Sequence, residues 1–109
     1  MTAVTLPAGT VAQVHTLPTD AGLPVGSYRH VAVLARPPVE PTVDAFVAKM
    51  SGPAQFMALL THDAGMDWPD KAGVEIAAAA LERGGMAMLC FAKRSDAVGC
   101  KRRVDGGAR

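Results

Sequence analysis

Aromatic side chains are scarce in this chain: three Phe, one Tyr and one Trp in 109 residues. A core built without them relies on alanine, valine and leucine, which fill volume only when backbones approach closely. Strong net charge is also missing. Eleven basic residues stand against ten acidic ones, a formal +1, which excludes the heavily cationic balance of a protein that covers many phosphates. There are only two cysteines, Cys90 and Cys100, and no Cys-x-x-Cys. Two thiols cannot by themselves fill a four-ligand zinc site. They read as free thiols of a reducing compartment, Cys90 buried in an apolar run and Cys100 exposed in a polar tail. No apolar run approaches the roughly 20 residues of a membrane helix, and the N-terminus lacks the basic-then-apolar pattern of a secretory signal. The expectation is a small cytoplasmic protein with no membrane association.

Half of the residues are hydrophobic, enough for one core in a chain of single-domain length. Thr10 to Leu17 alternates like a strand, and Tyr28 to Ala35 is β-branched and bounded by turn residues. Proline and glycine crowd the stretch between them, so the two segments are expected to form a hairpin. Ala3 to Leu6 is a further short strand candidate. Three prolines in Pro37, Pro38 and Pro41 then end the β region.

Helical signals follow. Thr42 suits an N-cap, and Val43, Phe46, Val47 and Met50 share one helix face. Pro53 suits the first turn of a second helix carrying Phe56, Leu59 and Leu60. Asp67-Trp68-Pro69-Asp70 reads as the start of a third, with Asp67 as the cap, Pro69 near the first position and Asp70 the acid three residues after the cap. This helix runs through Lys71 to about Arg83 with Val74, Ala77, Ala78 and Leu81 inward. Gly84-Gly85 stops it. Met86 to Ala92 is apolar on both alternating faces, as a central strand covered on both sides would be. No helical or strand period is evident beyond Ser95. The expected architecture is α+β: two to three N-terminal strands and a central C-terminal strand in a small antiparallel or mixed sheet. Two to three helices pack on one face, residues 1–94 form the domain, and residues 95–109 form a flexible basic tail.

Several residue groups could carry chemistry. His62 and Asp63, with Asp67 four positions on, form the most site-like polar cluster, since an imidazole beside carboxylates suits general-base or metal chemistry. Against this, a histidine in a last helical turn also simply complements the helix dipole. His15 and His30 lie on the two N-terminal strands and could converge with His62. Cys90 could act as a nucleophile, but its apolar neighbours favour an inert thiol. From Lys93 onward six basic residues face two acidic ones, giving this end about +4 and the remainder about −3. Lys93, Arg94, Lys101, Arg102 and Arg103 are the candidate partner-binding residues. No metal, cofactor or catalytic residue set is expected. The leading expectation is a small binding or regulatory protein that acts on another protein, of inhibitor, immunity or accessory type. Two alternatives stand beside it: an enzyme or ligand-binding domain using His62, Asp63 and the strand histidines, and a nucleic-acid accessory protein anchored by the basic tail.

Overall fold

The structure is a computed structural model, and it describes residues 6–18, 25–51 and 56–107. The elements run β1 (Val11–Thr16), β2 (His30–Ala35), α1 (Val43–Ser51), β3 (Met57–His62), α2 (Lys71–Glu82), β4 (Met86–Phe91) and α3 (Arg94–Gly107). This is an α+β arrangement with one four-stranded mixed sheet in the order β1-β2-β4-β3. β1 and β2 pair antiparallel as the hairpin that their alternation predicts. β4 lies antiparallel to β2 and parallel to β3. The β3-α2-β4 segment is therefore a parallel crossover unit appended to a hairpin. The proposed strand from Ala3 to Leu6 lies almost wholly outside the described residues.

β4 is central and buried at every position, as its unbroken apolar run requires. One sheet face carries Ala32, Leu34, Ala58, Leu89 and Phe91 against α2 and α3. The other carries Val31, Val33, Met88 and Cys90 against Phe46 of α1. The helices thus occupy both faces, whereas the sequence pattern suggested one. The reason is that β2 and β4 are apolar on both sides, and each side needs cover.

Two further expectations change. The segment carrying Phe56, Leu59 and Leu60 forms β3, not a helix, because a parallel ladder with β4 is available over Met57–His62. The proposed helix start at Pro53 lies outside the described residues. Most of the segment read as a basic tail is helical: residues 94–107 form α3, with Ala97, Cys100 and Val104 buried in the core. Those three side chains recur at helical spacing, but they are small and separated by Lys101, Arg102 and Arg103. Cys100 is consequently as buried as Cys90, at 0% exposure each, and both thiols are free.

α2 begins about one turn later than a cap at Asp67 would place it, because the Asp70 carboxylate, not that of Asp67, meets the first free amides. Asp70 is its N-cap, accepting a hydrogen bond from the Gly73 amide at 2.8 Å. It ends at Arg83, and Gly84 adopts the left-handed conformation (φ 81°) that terminates helices cheaply. The alanines of α2 let it lie close on β3 and β4.

Candidate functional site

The two helices that follow parallel strands, α2 after β3 and α3 after β4, begin at the same end of the sheet. Crevices outside the carboxyl ends of parallel strands are where α/β folds commonly bind ligands. Here that end holds a crevice of about 330 Å³ lined by Leu60, Thr61, His62, Asp63, Asp70 and Ile76, among others. His62 is the last residue of β3, not part of a helical turn. Its ring stacks on Phe91 of β4, with centroids 4.8 Å apart and an interplanar angle of 19°. It is buried, and its Nδ1 has no hydrogen-bond partner. Burial lowers its pKa below the usual 6.5, with the Cys90 backbone, Asp70 and Asp63 pulling the other way. The imidazole is thus held neutral against an aromatic ring.

The histidines do not converge. Register places Thr16, His30, Phe91 and His62 in one row across the four strands, on the face covered by α2 and α3. Phe91 stands between His30 and His62, and the Thr16 hydroxyl is 3.1 Å from His30 Nδ1. His15 points to the opposite face, where its Nε2 is 3.4 Å from the Pro41 carbonyl oxygen. The three acids separate as well. Asp63 lines the crevice, whereas Asp67 faces α3, its carboxylate 3.4 Å from Arg103 Nε. Among the described residues no group of three or more His, Cys, Asp or Glu is placed to hold a metal. Cys90 is walled in by the core, and burial pushes its thiol up to about 12, far from the thiolate that nucleophilic chemistry needs.

The basic residues gather on one element. Lys93 immediately precedes α3, and Arg94, Lys101, Arg102 and Arg103 belong to it. Arg94 and Arg102 are exposed and eight residues apart, so they share the outward side of the helix. Lys101 turns inward: its ammonium donates to the Ala12 carbonyl of β1 at 3.0 Å and pairs with Asp105 at 2.8 Å. Asp96, which the sequence did not single out, is buried in the first turn. Its carboxylate accepts a hydrogen bond from the Gly65 amide at 2.9 Å and ties the β3-α2 loop to α3. Gly99 lets the same loop lie close, since a Cβ there would sit 2.8 Å from that of Asp67. A buried acid and a glycine within a basic stretch carry no sequence signal of such a contact.

No family model, curated protein or solved structure matched the chain in comparison. Among the described residues no helix is long and apolar enough to cross a membrane.

Proposed function

We propose that the chain is a small binding protein that acts by contact with another protein, and that the outward side of α3 meets an acidic surface of that partner. The observation carrying this reading is that four exposed cations, Lys93, Arg94, Arg102 and Arg103, stand on or beside a single helix whose other side is anchored in the core. A helix fixed in this way presents its charges with little ordering left to do on binding. Lys93 and Arg94 also sit at the positive end of the α3 dipole, where cations oppose helix stability. Residues that break a local stability rule are most simply retained for what they contact.

The charge number favours a protein over a nucleic acid. Four cations, one of them already opposite Asp67, on a chain of net charge +1 suit an acidic patch better than a phosphate backbone. Such a surface would steer encounter and set specificity, with apolar contacts around it supplying residual affinity.

The test is capture from extract of the cells that express the protein, with and without nuclease treatment, on beads carrying either the parent chain or Arg94→Glu/Arg102→Glu. Protein retained by the parent at low salt, released at high salt and not retained by the variant is the expected result. Retention that disappears on nuclease treatment, or that is equal on both beads, contradicts the reading.

A further inference from the structure

The two edges of the sheet differ in their protection. At β1, Lys101 reaches across and donates to the Ala12 carbonyl. At β3, the strand Met57–His62 has no Lys, Arg, Asp, Glu or Pro, and among the described residues no strand lies on its outer side. Unguarded edge strands pair with other chains. Beside this edge, α2 exposes Ala72, Ile76, Ala79 and Arg83 at steps of four, three and four, the spacing of one helix side. Ile76 is 51% exposed and Phe56 47%.

The face is also polar end to end in charge. At the carboxyl end of β3 lies the crevice with Asp63 and Asp70. At its amino end the Arg83 guanidinium lies over the Phe56 ring, 4.7 Å from the centroid. These two residues flank a second hollow of about 280 Å³ shared with Met57, Ile76 and Ala79. Ile76 lines both hollows and so marks the middle of the face.

We infer that this face binds a second copy of the same chain, with β3 pairing antiparallel to the partner's β3 about a two-fold axis near Leu59, Leu60 and Ile76. A two-fold axis reverses the strand direction, so the Phe56–Arg83 end of each copy meets the Asp63–Asp70 end of the other. The complementary charges are then satisfied twice by one surface, as an isologous interface demands. The two sheets become one of eight strands, the two Ile76 side chains meet near the axis, and both unguarded edges disappear. α3 packs on β1, β2 and β4, away from this edge, so the pair would display two basic helices. The inference is independent of what α3 binds.

Sedimentation equilibrium of the full chain, from a few to about 200 µM, tests it. The parent is expected to be a dimer in this range and Ile76→Glu a monomer. Arg83→Glu should weaken association by about tenfold or more, the loss typical of an unpaired interfacial charge. Arg83→Glu with Asp63→Arg should restore it. Thermal melts of each variant show that the fold persists; if Ile76→Glu does not fold, Ala79→Glu, also at an exposed position, replaces it. Ile76→Cys should cross-link to a covalent dimer under mild oxidation, because both native thiols are buried. A parent monomeric at 200 µM, or a dimer unchanged by these substitutions, overturns the inference. Arg94→Glu/Arg102→Glu should leave the dimer intact, so failure here is distinguishable from failure of the α3 reading.

Discussion

The Asp96 carboxylate, in the first turn of α3, accepts a hydrogen bond from the Gly65 backbone amide 2.9 Å away across 31 residues of sequence. This contact joins the loop after β3 to the helix after β4 and fixes the end of the sheet where the crevice opens. Asp96→Ala leaves the Gly65 amide without that acceptor and should cost about 2 kcal/mol, the range for a charge-assisted hydrogen bond. Asp96→Asn keeps an acceptor and should cost less. Urea unfolding of both variants checks this; equal stability of parent and Asp96→Ala would show that the contact is dispensable.

The thiols should behave alike. Burial pushes both Cys90 and Cys100 up to about 12, with Asp67 adding to the effect at Cys100 and Arg103 opposing it. Neither should react with a maleimide in the native state at neutral pH, and both should react at the rate of unfolding. Rapid labelling of Cys100 alone would mean that α3 detaches from the sheet.

His62 gives stability a dependence on pH. In the unfolded chain its imidazole titrates near 6.5, and burial holds the folded value lower. Below about 6.5 the unfolded chain takes up the proton first, so this contribution is complete above that pH and is lost as pH falls toward the folded value. His62→Phe keeps a ring against Phe91 and removes the titration. Its stability should fall less than the parent's between about pH 7.5 and pH 5.5. Parallel curves for the two proteins would remove His62 as the cause.

Lys101 separates from the other basic residues. Its ammonium bonds the Ala12 carbonyl and Asp105 while the residue is only half-exposed. Lys101→Met should lower stability by about 1 kcal/mol, whereas Arg102→Met, at an exposed position, should change it by about half of that or less. Thermal melts that shift equally for both would contradict the assigned roles.

These contrasts also show what the sequence made legible. The apolar run of β4, the alternation of β1 and β2, and the Gly84 stop of α2 each rest on local chemistry, and each stands in the structure, while the cap of α2 falls on Asp70 and not on Asp67 because both aspartates fit the local pattern. The β3 segment is ambiguous in sequence because Phe56, Leu59 and Leu60 fit a helix side as well as a short buried strand. Such runs are decided by long-range pairing, here with β4. α3 carries little signal in the sequence because Ala97, Cys100 and Val104 are modest apolar residues among charges. The stripe gains its meaning only when the sheet beneath it is known. The candidate site was half legible. His62 and Asp63 do line one crevice, but the row from Thr16 to His62 and the link from Asp96 to Gly65 exist only through strand register and loop closure.

Whether α3 meets the partner is decided by arginine footprinting of the complex. Phenylglyoxal modification, read by mass spectrometry at each arginine, is compared for the free protein and for the protein bound to its captured partner. Arg94 and Arg102, exposed in the free chain, should become several-fold slower to react in the complex, as expected for side chains covered by a charge-complementary partner. Unchanged reactivity at both positions in a saturated complex would place the binding surface elsewhere and contradict the claim.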